Sequence, residues 1–196
     1  MKDYTIFLAS KSPRRRDILT NAGYVFKVVE AKDVENIPDG IPPDEAVTEI
    51  ALKKAQSVRS SLPPDKIVSP DKTIIIAADT MVFHNGILLG KPRDADDAFR
   101  MLKSLSGVWH NVFTGYAVLC GQSSVTGCEV TAVKFRTLKD KEIEKYIESK
   151  EPFDKAGSYG IQGRASAFIE RVEGDFFNVI GLPICKISVI VDMFIS

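Results

Sequence analysis

The chain is short of the residues on which soft-metal and disulfide chemistry rest. Cys120, Cys128 and Cys185 are an odd number with no C-x-x-C spacing, and His84 and His110 are the two histidines among 196 residues. Little is left with which to complete a soft-metal site, and a reducing compartment fits such usage. Net charge is lacking as well, since 26 Lys+Arg balance 26 Asp+Glu. That balance, with no basic stripe wider than Arg14 to Arg16, argues against nucleic acid as the main partner. Long apolar runs are missing: the run from Ile74 is broken by Asp79 and the one from Ile187 by Asp192, so neither spans a bilayer. The run from Tyr4 to Ala9 meets Lys11 and Arg14 too early for the core of a signal peptide. A cytoplasmic protein without a membrane partner is expected.

What is present is ordinary globular material, 44% hydrophobic and 27% charged, which excludes disorder and collagen-like repetition. A chain of this length buries roughly 70% of its unfolded surface, so it needs no disulfide or structural metal to fold. Tyr4 to Ala9 reads as a strand, Ser12-Pro13 as a helix start and Gly23 as its stop. Tyr24 to Val29 reads as the next strand. After the Pro38 to Pro43 loop a long helix presents Val47, Ile50, Ala51, Lys54, Val58 and Leu62, a face that Lys54 alone interrupts. Thr73 to Ala78 has the continuous burial of an inner strand, and Asn85-Gly86 marks a hairpin between Met81–Phe83 and Ile87–Leu89. Asp94 to Ser106 is helical, with Ala98, Met101, Leu102 and Leu105 on one face. Val112–Leu119 and Val125–Phe135 are expected to pair as antiparallel strands, ahead of a charged helix near Asp140–Glu148. Lys150 to Ser166 matches neither period and reads as a long loop. Strand-like pieces at Ala167–Val172 and Phe176–Ile180 precede a last helix after Pro183. Without repeats or linkers, the pattern predicts an α/β fold with a mixed sheet in one domain, residues 1–196.

Three places could carry chemistry. Ser10-Lys11-Ser12-Pro13-Arg14-Arg15-Arg16 puts a helix N-terminus and fixed positive charge where a strand ends, the make-up of a phosphate site; a Ser12 N-cap with solvated arginines is the plainer reading. Asp79, directly after the buried run, would sit at a strand's carboxyl end as metal ligand or general base, or else cap the turn into Thr80. The glycine-rich stretch from Glu151 to Gly163 lets backbone approach a ligand, and the Gln162 amide offers a donor and an acceptor to a base edge; a connection without function is the alternative. Asp33, Glu35, Lys54, Lys91 and Lys155 are each solvated residues if taken singly, but together they suit a metal–triphosphate substrate. His110, at a strand start, reads as a packed residue before a catalytic one.

These pieces, in order, resemble the Maf family of nucleoside triphosphate pyrophosphatases. The likeness is carried by Leu8 to Arg15, Glu35, Ala51 to Ala55, Ala78-Asp79-Thr80, Lys91-Pro92, Leu105-Ser106-Gly107, Thr114-Gly115, Glu151 to Gly163 and Asn178 to Pro183, nearly end to end. The resemblance implies a curved mixed sheet flanked by helices in a Maf- or ITPase-like fold, with two lobes around a nucleotide cleft. It implies hydrolysis between the α and β phosphates to a monophosphate and pyrophosphate, with Mg²⁺ or Mn²⁺. Asp79 falls on the proposed proton acceptor, and Glu35 with Asp79 on the metal side. Ser10, Arg14, Lys54, Thr80, Lys91 and Gln162 fall on substrate-binding positions. The Ser158-Tyr159-Gly160-Ile161-Gln162-Gly163 form looks like the subgroup acting on dTTP and UTP. The resemblance is compatible with a homodimer. The competing expectation is a nucleotide-binding regulator of septum formation with little turnover.

Overall fold

In the computed structural model, which describes residues 4–32, 40–63 and 69–196, the first apolar run forms β1 (Thr5–Leu8), with Ile6, Phe7 and Leu8 buried. Pro13 opens α1 (Pro13–Asn21), where its missing N–H costs nothing. β2 (Phe26–Val28) is shorter than the apolar run suggests and pairs parallel with β1. In α2 (Pro43–Ser61) the buried residues Val47, Ala51, Ala55 and Val58 follow the helical period.

β3 (Thr73–His84) lies parallel to β1, from Thr5 opposite Thr73 to Leu8 opposite Ile76. Its first six residues are buried, as in a strand covered on both faces. The sequence suggests an end at Ala78, but the strand continues through Asp79 to His84. The cause is β4 (Ile87–Leu89), which folds back antiparallel across Asn85 and Gly86, both at positive φ (49° and 80°) as a type I′ turn requires. Asp79 is therefore mid-strand and caps no turn.

α3 (Ala95–Leu105) is capped by the Asp94 carboxylate, which accepts from the Asp97 amide, and it buries Ala98, Leu102 and Leu105. β5 (Trp109–Cys120) and β6 (Ser123–Phe135) are sheet neighbours joined by Gly121-Gln122 alone, the connection of a hairpin. α4 (Asp140–Glu148) follows, and the glycine-rich stretch then folds as short 3-10 turns at Glu151–Asp154, Ala156–Ser158 and Arg164–Phe168. β7 (Ile169–Glu173) pairs antiparallel with β6.

Phe176–Ile180 is a helix, α5, where the sequence suggests a strand. Gly174 at φ 122° breaks the extended backbone, and the Asp175 carboxylate accepts from the amides of Phe177 (2.7 Å) and Asn178 (3.3 Å), so a cap outweighs an apolar run with no clear period. α6 (Ile184–Ile195) ends the chain. The fold is α/β, with an open mixed sheet in the order β2-β1-β3-β5-β6-β7 and β4 on β3. Among the described residues no helix is long and apolar enough to cross a membrane, and the three cysteines are free thiols.

The chain packs as two compact units. Unit 1 comprises Met1–Asp79, Thr114–Glu129 and Gly181–Ser196; its core joins Phe7, Ala51, Ala55, Ile75, Ala117 and Leu119. Unit 2 comprises Thr80–Phe113 and Val130–Ile180, with Leu102, Phe135, Ile143, Tyr146, Tyr159 and Phe168 at its centre.

Candidate active site

In unit 1, Ser10 lies just past β1 and is buried, and its Oγ accepts from the Ser12 amide and from Arg15 Nη1, both at 3.2 Å. Ser12 makes no capping bond through its own side chain; Ser10 takes its amide instead. Arg15 Nε also donates to the Gly181 carbonyl at 2.7 Å. Three consecutive arginines point about 100° apart on a helix, and their settings differ: Arg14 and Arg15 are half-buried while Arg16 is exposed. Burial draws the Arg15 pKa below its ordinary value, the Asp79 charge opposes this, and Arg14 adds to the lowering. A guanidinium so placed remains a cation. The sequence singles out Arg14 but gives no separate weight to Arg15; its signal was a place one turn into α1, within reach back to Ser10.

Lys54 and Asp79, two anomalies of the sequence, explain each other. Lys54 Nζ donates to Asp79 Oδ1 at 2.5 Å, with side chains 24% and 17% exposed. A half-buried charge on an apolar helix face and another on an inner strand would each be costly alone. In the same unit α2 also approaches β5 backbone to backbone. A Cβ on Gly115 of β5 would stand 2.2 Å from the Val47 carbonyl carbon and oxygen of α2, so only glycine admits that approach. Glu35 and Asp33 lie outside the described residues.

Unit 2 begins at Thr80, half-buried and next to Asp79 on β3, so that their side chains leave opposite faces of the strand. Lys91 is exposed, and the carbonyl before it, that of Gly90, accepts from the Gly157 amide at 3.0 Å. The Lys91 turn and the glycine-rich stretch are thereby bonded together. Lys155 donates to the Glu151 carbonyl (2.7 Å) and to Asp154 Oδ1 (2.6 Å), which makes it a brace for the loop. Gln162 is exposed, within a turn closed by the Gly163 amide on the Gly160 carbonyl at 3.2 Å. Beneath that turn the Glu151 carboxylate accepts from Tyr146 Oη and from the Arg164 amide, each at 3.0 Å. A Cβ on Gly163 would stand 1.9 Å from Glu151 Oε1, and one on Gly160 2.6 Å from Lys155 Cε. These glycines therefore make room for the braces, a use that sequence alone does not separate from closeness to a ligand. His110 is buried as a packed residue, with Nε2 2.7 Å from Tyr159 Oη.

The fold is thus α/β, with cations and a carboxylate gathered in unit 1. A family model described as Maf-like protein matches residues 5–194, and the chain belongs to the Maf family. It is 49% identical over 187 residues to a protein of Alkaliphilus oremlandii named dTTP/UTP pyrophosphatase, covering 94% of this chain and 93% of that one. Proteins of the same name from Thermosipho melanesiensis and Bacillus cereus are 43% and 42% identical, each over 93% of this chain and over 93% and 91% of their own lengths. Among solved structures, a protein of Vibrio cholerae overlays with a TM-score of 0.35 at 13% identity, across 76% of this chain and 68% of that one.

Proposed function

We propose that this chain hydrolyses nucleoside triphosphates between the α and β phosphates, releasing a nucleoside monophosphate and pyrophosphate, with dTTP and UTP as its substrates. The observation that carries the reading is the Lys54–Asp79 pair, set in the same unit as Arg14, Arg15 and the start of α1. Its relatives of 42–49% identity bear the matching name. Water attacks the α phosphorus, Asp79 takes its proton, and the bond to the β-phosphate oxygen breaks with pyrophosphate as leaving group. Cationic Arg14, Arg15 and Lys54 and the positive end of the α1 dipole oppose the charge that spreads over the phosphates. Lys91 is a further polar contact to the substrate, and Arg14, Thr80 and Gln162 serve substrate choice, with the Gln162 amide pairing with a uracil or thymine edge. The same reading puts the protein in the cytoplasm.

A divalent cation belongs to the proposal. Mg²⁺ is commonly held by one or two carboxylates together with substrate phosphate oxygens. Asp79 offers such a hard oxygen, with Lys54 bonded to Oδ1; Glu35 is the second ligand proposed. When bound, the cation neutralises charge on the phosphate oxygens and polarises the reacting phosphoryl group.

The test is incubation with a panel of nucleoside triphosphates and Mg²⁺ or Mn²⁺, with the products identified. Monophosphate and pyrophosphate, formed fastest from dTTP and UTP, support the reading. Orthophosphate and diphosphate overturn it, and binding without turnover would make the protein a nucleotide-responsive regulator. Full activity in excess chelator would remove the cation from the mechanism.

A further inference from the structure

The turn that carries Gln162 is braced on both sides. After it, the Arg164 amide is held by Glu151; before it, Tyr159 reaches into the core of unit 2 and ends on His110. Both partners are buried, at 5% and 3% exposure. The two rings and Phe135 form a triangle of edge-to-face contacts, with centroids 4.7 Å (Phe135–Tyr159), 5.0 Å (His110–Phe135) and 5.3 Å (His110–Tyr159) apart. Such packing fixes ring orientation as well as burying area. The backbone beside Tyr159 has little freedom of its own. Gly157 and Ser158 both lie at positive φ (66° and 63°), a conformation that costs a serine about 1 kcal/mol or more, and the buried Ser158 hydroxyl bonds to Met101 Sδ at 3.1 Å.

We infer that the buried His110–Tyr159 pair is the clamp that fixes the Ser158–Gly163 loop, making His110 a positioning residue for the base selection of Gln162. The inference rests on the function proposed above, in which Gln162 reads the base. His110 Nδ1 is buried without a hydrogen-bond partner, which bears on how the clamp is wired. If Tyr159 donates to Nε2, only the Nδ1–H is left unsatisfied. If the ring donates, both the phenol hydrogen and the Nδ1 lone pair are left. The first arrangement leaves fewer groups unpaired and sets the neutral Nδ1–H tautomer. Burial, with a smaller push from His84, holds the His110 pKa down to about 3. The ring is therefore neutral under ordinary conditions, and its geometry suits orienting a loop.

Tyr159→Phe deletes the hydroxyl and keeps the ring; His110→Leu removes both ring nitrogens at similar bulk; His110→Gln returns an acceptor toward Tyr159. Amide hydrogen exchange across 158–163 reads the clamp without any reference to activity. It should quicken by about tenfold or more in Tyr159→Phe and His110→Leu and return toward the wild-type rate in His110→Gln. With turnover, the preference in kcat/KM for dTTP over CTP should fall by about fivefold or more in the first two variants, mainly through KM. Unchanged exchange in both deletion variants overturns the clamp. Faster exchange with an unchanged dTTP to CTP ratio overturns the positioning role. Faster exchange in a protein that turns over no triphosphate supports the clamp and removes only the proposed reaction.

Discussion

The two units hold their candidate residues by opposite means. In unit 1 charged groups are half-buried and paired on regular elements: Lys54 on α2 with Asp79 on β3, and Arg15 on α1 with Ser10 and the Gly181 carbonyl. Backbone lies against backbone there, at Gly115 and Val47. In unit 2, Lys91 and Gln162 are exposed on turns, and what is buried is the support: Tyr159 on His110, and half-buried Glu151 under the amide of Arg164. Rigid placement suits groups that must meet reacting atoms within tenths of an ångström. A braced turn suits a group that discriminates between bases, because its neighbours can change without disturbing the charges.

The comparison breaks first at Asp79. Asp79→Asn keeps an oxygen for Lys54 and nearly the same shape, so the fold should survive. Turnover should drop about a hundredfold or more, the usual scale for a general base and near 2.7 kcal/mol of barrier. Near-normal turnover would mean that Asp79 is not the base and that the Lys54–Asp79 pair takes no part in the reaction.

Glycine to alanine changes sharpen the contrast in rigidity. Gly115→Ala drives a methyl into the Val47 backbone, which cannot rotate away. It should cost about 3 kcal/mol, read as a melting temperature lower by roughly 6–12 °C. Gly163→Ala meets instead the end of the Glu151 side chain, which can swing aside if it gives up Tyr146 and Arg164. About 1 kcal/mol is expected, with a larger effect on substrate preference than on melting. Equal losses of stability would erase the distinction between the two units.

Much of this arrangement was legible in the sequence, for reasons that individual residues show. Asn85-Gly86 specified its hairpin because few other residues accept two positive φ angles in succession. Val47, Ala51 and Val58 specified a helix face by period alone. Asp79 and Lys54 were each visible as a charge out of place, but their pairing was not, because they come from elements 25 residues apart that only tertiary packing joins. Arg15 was hidden within a run of three arginines, where local pattern cannot say which one turns inward. The Phe176–Ile180 helix was missed because so short a segment, four apolar residues and Asn178, fits either period and a single Asp175 cap decided the matter. The glycines of the last loop were legible as openness, while the side chains that need that space come from elsewhere in the chain, as Glu151 does at Gly163 and Val82 at Gly157.

Gln162→Glu tests whether the braced turn reads a base. The change keeps an acceptor and loses the donor, leaving a pyrimidine carbonyl facing a carboxylate. An unpaired polar contact costs about 1–3 kcal/mol, so kcat/KM for dTTP and UTP should fall roughly tenfold. A base that presents a donor at that edge should lose less. An equal fall for dTTP, UTP, CTP and GTP would assign the turn to the phosphates or to closure.

The smallest effect should come from an ion pair unlike that of Lys54 and Asp79. In unit 2, Arg136 Nη2 meets Glu142 Oε1 at 2.6 Å, with side chains 39% and 34% exposed, and Glu142 also accepts from the Lys139 amide at the start of α4. The Arg136 bond, then the Lys139 amide, lower the Glu142 pKa from 4.5 to about 2. A depressed carboxylate adds stability above its unfolded pKa, and that contribution fades as pH falls from about 4.5 through about 2. Solvent screens so open a pair, so the effect at neutral pH should be slight. Glu142→Gln retains an acceptor for the Lys139 amide and removes the charge. Its melting temperature should lie a little below wild type at pH 7, and the gap should close across that acid window. A gap that persists unchanged at pH 2 would mean that the side chain acts through its capping geometry, with no share from charge.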